Sequence, residues 1–240
     1  MFTLLVRSAD ERVRCNIVIC IGDLCYRFPN QCEQWTSRIY GTLRDEVGEG
    51  MRFHGSSVLV RTNALSVLSH LILNDMIRVK GQIALLVLLL DDPSEHIQTL
   101  AKVFFTEWGK RGSATIYNIF PECVSSLLDM PNLEFGRFCS LTKYLLHFID
   151  KVRFGRAFHP QDKQCDQLVE KLLQRFVLVT DPLKWRCLAF CLLCIPSTNQ
   201  TVQKYLQCRN CLKDALHTKE TNEIINQIIG KVGAVVKYKA

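Results

Sequence analysis

One spacing recurs three times along this chain. Val13, Ile17 and Ile21 are matched by Val60, Ala64 and Leu68, and again by Ile97, Ala101 and Phe105. Each trio steps by four and four, which puts its members on one face of an α-helix. Three residues ahead of the trios stand Asp10, Ser57 and Ser94. Their side-chain oxygens suit the N-cap, where they can accept from a first-turn N–H. Arg14 and Arg61 follow the first member in two copies, and Gln98 holds that place in the third. The anchors lie about 47 and then about 37 residues apart, the range of a two-helix repeat. A helix pair has two apolar flanks that only stacked neighbours can bury. The spacing therefore predicts an all-α fold, a HEAT-type α-α superhelical solenoid.

Partner helices fall between the anchored ones. Pro29–Arg44 is one, with Pro29 suited to the first turn. Lys80–Leu90 is another; its apolar run Ile83–Leu90 could also form a buried strand, but both neighbours are strongly helical. Asp91-Asp92-Pro93 turns the chain into the third anchored helix, whose stripe is Ile97, Leu100, Ala101, Phe104, Phe105 and Trp108. Beyond residue 110 the repeat degrades while helices continue. They are expected at Ser113–Asp129, Leu133–Lys151, Asp162–Val177, Pro182–Cys194, Thr198–Lys213 and Glu220–Val236. Residues 1–112 thus read as HEAT-like repeats and 113–240 as degenerate helical repeats continuous with them. Inserted loops are expected at 46–56, which holds Gly48, Gly50 and Gly55, and at 152–161.

Twelve cysteines could suggest a disulfide framework. They sit within apolar helical runs instead, with no basic-then-apolar leader at Met1–Arg7, and behave as buried small hydrophobes of a reducing compartment. No run approaches the roughly 20 apolar residues of a membrane span. Gly-x-Ser-x-Gly, a phosphate loop and His-Glu-x-x-His are all missing, and the six histidines form no local catalytic pattern. The chain is expected to be no enzyme, to need no cofactor and to take no small-molecule substrate.

Two constellations could still carry a site. Cys191-x2-Cys194 and Cys208-x2-Cys211 have zinc-like spacing, although the gap between the pairs is short. Against a metal, Cys187, Cys191 and Cys194 fall on one helical face, and no Gly accompanies either pair. We read them as helix-face thiols. Net charge is +7, and its basic residues group as Arg78 with Lys80, Lys110 with Arg111, and Lys151 with Arg153 and Arg156. The last group, interleaved with Phe154 and Phe158, could hold a phosphate backbone. Solvated surface charge is the alternative for all three.

Several runs resemble a known family. Gly22-Asp23-Leu24, Arg27-Phe28-Pro29-Asn30, Trp35 and Leu43-Arg44-Asp45 are similar to the C-terminal part of condensin complex subunit 1. So are Val60-Arg61 and, most specifically, Val67 to Met76 with Arg78-Val79-Lys80-Gly81-Gln82. Ile116-Tyr117-Asn118, Pro121, Leu168 to Leu172, Arg175-Phe176, Trp185-Arg186 and Ala189 extend the likeness, which covers roughly residues 7–207. Asn74-Asp75-Met76 with Lys80-Gly81-Gln82 looks closer to the first condensin complex than to the second.

The resemblance implies a non-catalytic HEAT subunit that binds a kleisin chain, works with a pair of SMC ATPases, and engages chromatin DNA in mitotic chromosome condensation. It implies a nuclear and chromosomal location with a cytoplasmic pool, and no membrane. Members are much longer, so the chain is expected to be a C-terminal fragment or a truncated gene product. No individual kleisin or DNA contact is carried over. A generic HEAT or armadillo adaptor, in transport or phosphatase scaffolding, is the competing reading.

Overall fold

In a computed structural model, residues 8–44, 57–79, 81–111, 113–130, 133–151, 161–195, 203–205 and 207–237 are described. The expected loop at 46–56 lies outside the described residues, as does all of the one expected at 152–161 except Gln161, which opens a helix. Two compact units form, Met1–Arg111 and Gly112–Ala240. Described residues contain helix and turn but no strand, and each unit shows HEAT-type α-α packing.

The first unit holds α1 (Glu11–Arg27), α2 (Pro29–Thr42), α3 (Val58–Leu73), α4 (Ile83–Leu88) and α5 (Glu95–Lys110). A 3-10 turn, Leu89–Asp91, follows α4 in place of a last α-helical turn. Phe28 alone joins α1 to α2, and Pro29 opens α2, where its missing N–H has no helical partner to lose. Contacts run from α1 to α2 and α3, from α2 to α3, and from α3 to α5. The anchored helices therefore stack on each other across the repeats.

Their direction follows from side chains at their ends. At the N-terminal ends, Ser57 Oγ donates to Glu11 Oε2 at 2.6 Å, and Arg61 reaches Asp92 just ahead of α5. At the C-terminal ends, Tyr26 and His70 rings lie 5.3 Å apart, and Arg111 Nη1 meets Asp75 Oδ1 at 3.0 Å. Helices whose like ends adjoin at both extremes are parallel, so α1, α3 and α5 present two opposite edges.

Asp10 and Ser57 cap as expected, accepting from Arg12 N at 2.8 Å and Val60 N at 3.4 Å. Ser94 occupies the N-cap position, but its side chain makes no cap bond. Asp92 organises that turn instead, because the carboxylate is turned inward by Arg61. Asp92 Oδ1 accepts from Ser94 N at 2.9 Å, and the Asp92 carbonyl accepts from Gln98 Nε2 at 2.8 Å. The two arginines of the repeat share a role. Arg61 is buried and bidentate, with Nε and Nη2 each 3.0 Å from Asp92. Arg14, equally buried, donates to the carbonyls of Ser8 and Ala9. Each arginine ties a helix to a preceding or following turn.

Burial bears out two of the trios. Val60, Ala64, Leu68, Ile97, Ala101 and Phe105 are all fully buried. In α1 the buried stripe is turned by about one residue. Arg14, Val18, Ile21, Gly22 and Cys25 face inward, while Val13 and Ile17 are half-buried. Gly22 accounts for the turn, because α3 comes so close there that a Cβ on Gly22 would lie 2.5 Å from Val67 Cγ1.

The second unit holds α6 (Ser113–Leu128), α7 (Phe135–Lys151), α8 (Gln161–Arg175), α9 (Pro182–Cys194) and α10 (Lys219–Lys237). Here α6 packs on α7 and α8, α7 and α8 on α9, and α9 on α10. The expected bounds hold within a few residues, and α9 matches at both ends. Asp181 caps α9 through Leu183 N at 3.0 Å with Pro182 in the first turn. Pro121 lies inside α6, where it removes one backbone bond; Ser125 Oγ donates to its carbonyl, and Arg175 Nε donates to Ser125 Oγ. One expected helix is corrected. Thr198–Lys213 is no continuous helix in its described part: 203–205 and 207 are helical, Arg209–Leu212 is a 3-10 turn, and a second 3-10 turn, Ala215–His217, follows beyond Lys213. Tyr205 and Leu212 are the buried residues of that part, too few to hold an amphipathic stripe, and Asn210 favours a turn.

Two measurements check these links. Gly22→Ala should destabilise the chain by about 1–3 kcal/mol through overpacking, with much of the loss recovered in a Val67→Ala background, as read by urea unfolding. Arg61→Ala should cost about 3–5 kcal/mol, because it leaves the Asp92 carboxylate buried without its partner. Arg61→Ala together with Asp92→Ala should be more stable than the single change in the same assay.

Candidate functional site

The parallel stack gathers three helix C-termini on one edge. Backbone dipoles point their negative ends there, which favours cations in the last turns. Arg27 closes α1 and Lys110 closes α5, with Arg111 next in the chain. The edge also carries two exposed aromatics, Tyr26 and Phe28. Tyr26 lies against His70, and the His70 ring is held by Asn74, whose Nδ2 is 3.2 Å from Nδ1 and donates to the His70 carbonyl at 2.7 Å.

The end of α3 explains why the run 70–78 is shaped as it is. Asp75 has φ 57°, the left-handed conformation normally given to Gly. Met76 N–H donates to the Leu71 carbonyl at 2.9 Å and Asp75 N–H to the Ile72 carbonyl at 3.1 Å, the paired bonds of a Schellman motif. An Asp costs more than Gly in this conformation. What it supplies is a carboxylate that holds Arg111 at 3.0 Å. The turn then carries the chain to Arg78, which is exposed and has no ion-pair partner among the described residues.

The expected basic residues thus divide. Arg111, with Lys110 before it, is tied to Asp75 in the turn that ends α3, three residues ahead of Arg78. Lys110 is paired with Glu107 at 2.5 Å, and Arg111 with Asp75. Both pairs are largely exposed, so each is worth about 0–1 kcal/mol and can exchange for another anion. Lys80, Arg153 and Arg156 lie outside the described residues, as do Phe154 and Phe158. Lys151 ends α7, and its side chain lies outside them too. Sequence grouping missed Arg27, because it stands alone in the chain and joins the others through helix packing. Its signal was its place in the last turn of α1, between two aromatic residues.

The cysteine pairs do not converge. Cys191 is fully buried in α9, and burial pushes its thiol well up, helped by neighbouring Cys194 and Cys187. Cys187 and Cys139 are likewise pushed up, to about 12 and about 11, chiefly by burial. Cys208 neighbours Cys211, Glu170 and Lys204, and its thiol is raised mainly by burial. Lys204 and Glu170 form an ion pair beside it. Among the described residues, no group of three or more Cys, His, Asp or Glu is placed to hold a metal ion. Nor is any described helix long and apolar enough to cross a membrane. Raised thiols are poor nucleophiles, since that role needs the thiolate. Native labelling at pH 8 should therefore modify the exposed Cys20 first and leave Cys123, Cys187 and Cys191 unmodified until denaturant is added. Purified chain should carry less than stoichiometric zinc by elemental analysis, and one zinc lost on Cys208→Ser with Cys211→Ser would reverse that reading.

Known proteins place this arrangement in a family. Residues 12–193 match the family of the non-SMC mitotic condensation complex subunit 1. The whole chain is 38% identical to the condensin-1 complex subunit CAP-D2 of Arabidopsis thaliana, covering 16% of that protein. It is 37% identical, again over its whole length and 16% of the relative, to condensin complex subunit 1 of Mus musculus. Over 86% of its length it is 30% identical to condensin complex subunit 1 of Saccharomyces cerevisiae. The chain thus spans about a sixth of the length of these relatives. By a match over three quarters of its residues and by identity along its full length, the chain belongs to the non-SMC mitotic condensation complex subunit 1 family.

Proposed function

We propose that the chain is part of a non-catalytic condensin subunit, which binds a kleisin chain and acts with an SMC ATPase pair on chromosomal DNA during mitotic condensation. The observation that carries this reading is the family match along the full chain. It implies a nuclear and chromosomal place of action, with a cytoplasmic pool. The raised thiols favour a role in binding over one in cysteine chemistry.

For DNA contact we propose the C-terminal edge of α1, α3 and α5. Arg27 and Arg78 stand exposed, and Lys110 and Arg111 can leave weak surface pairs for phosphates. Tyr26 and Phe28 offer flat faces beside them. Lys151, Arg153 and Arg156 are a second proposed contact, suggested by charge alone, and Lys80 is grouped with Arg78 by sequence alone.

Each released counterion contributes to the salt dependence of binding. Arg27→Gln with Arg111→Gln should weaken duplex DNA binding and lower the slope of log affinity against log salt by about 1–2. Asp75→Asn, which frees Arg111, should strengthen binding. An unchanged slope in both variants would remove this edge from consideration. Co-purification of the full-length protein with kleisin and SMC partners tests the assembly itself. Recovery of transport or phosphatase components in their place would favour an adaptor.

A further inference from the structure

Cys208 and Cys211 belong neither to the buried core nor to the basic edge. Both are half-buried, and they stand at the two ends of one backbone turn in the second unit. Cys208 N–H donates to the Lys204 carbonyl at 2.9 Å, and Cys211 N–H donates to the Cys208 carbonyl at 2.9 Å. Cys208 thus occupies the N-cap of the 3-10 turn Arg209–Leu212, with Cys211 inside it. Buried Tyr205 and Leu212 flank the pair, and the turn packs on α8 and on a 3-10 turn at Phe176–Leu178.

A turn closed by a bond between residues i and i+3 keeps its end Cα atoms within about 7 Å. A disulfide spans about 4.4–6.8 Å between Cα atoms. The backbone therefore already holds these two cysteines near bridging separation, and the Cys208 thiol interacts with the Cys211 side chain. Other neighbouring thiols are less accessible. Cys25 and Cys32 interact across α1 and α2 but are 0% and 9% exposed, and Cys191 is fully buried beside Cys187 and Cys194.

We propose that Cys208 and Cys211 form a reversible dithiol–disulfide site whose oxidant is a small disulfide of the glutathione class. Burial, then Cys211 and Glu170, hold Cys208 as the thiol, so Cys211 attacks first. Its thiolate displaces one glutathione from glutathione disulfide, and the Cys211 proton ends on that leaving thiolate. Cys208 sulfur then attacks the Cys211 sulfur of the mixed disulfide. The second glutathione leaves and takes up the Cys208 proton. Two protein thiols are thereby oxidised by two electrons, and one glutathione disulfide is reduced to two thiols. In a reducing compartment such a bridge is transient and opens as the thiol pool recovers. This site goes beyond the condensin reading and does not depend on it.

The test is incubation of the full chain in glutathione buffers of rising oxidised share, followed by acid quench, alkylation and peptide mass mapping. Two of the twelve thiols are expected to vanish together, as a Cys208–Cys211 bridge that dithiothreitol reopens. In Cys208→Ser, Cys211 should retain one glutathione as a lasting mixed disulfide. In Cys211→Ser, Cys208 should react about tenfold more slowly than Cys211 does in the first variant. Equal rates in the two variants would overturn the assigned order of attack. The wild-type map needs no substitution, so it decides the matter even where a variant fails to fold. No bridge at any buffer ratio would overturn the proposal, as would a Cys139–Cys194 bridge in its place. Protection of both thiols until a chelator is added would also overturn it, and would mark a metal-holding pair instead.

Discussion

The buried pair of Arg61 and Asp92 is the link on which the first unit depends. It joins the middle of one repeat to the turn that opens the next, and it does so with both nitrogen donors of a rigid fork. Removing two charges from water is expensive, and such a pair is a weak source of stability compared with apolar side chains of similar size. What it provides is placement. Asp92 is held by Arg61 and in turn holds Ser94 N and the Gln98 side chain, so the start of α5 is set relative to α3. The same position in α1 is filled by Arg14, which grips two carbonyls of its own entry turn. One residue type at one register position thus orders successive helices by slightly different means.

Around this link the packing is ordinary. Phe105, Leu68 and Ile97 fill the interface between α3 and α5, and each contributes about 1.5–3 kcal/mol by leaving water. Gly22 marks the opposite extreme, where two helices approach too closely for any side chain on one of them. The spacing between α1 and α3 is set there by Val67, and the aromatic cluster of Phe104, Phe105 and Trp108 fills the space at the far end of α5.

Much of the fold was legible because burial obeys helical periodicity. The trios in α3 and α5, the caps at Asp10, Ser57 and Asp181, and the bounds of α9 could be read from spacing and residue type. The turned stripe of α1 could not, since it depends on Gly22 meeting a helix about 45 residues away. Ser94 was misread for a similar reason: its capping role passed to Asp92 through a tertiary contact. The candidate edge was half legible. Lys110 and Arg111 announced themselves as neighbours in the chain, whereas Arg27 joined them only through the parallel stacking of helices.

Parallel stacking also makes the first unit mechanically lopsided. Its N-terminal edge is pinned by a buried ion pair, a short Ser57–Glu11 bond and well-made caps. Its C-terminal edge is tied by one exposed pair and a tilted ring contact. The helix ends that carry the cations are thus the less firmly cross-tied ends among the described residues. A long polyanion laid across those ends would tie them together, at a cost in conformational entropy that grows with the number of ends it spans.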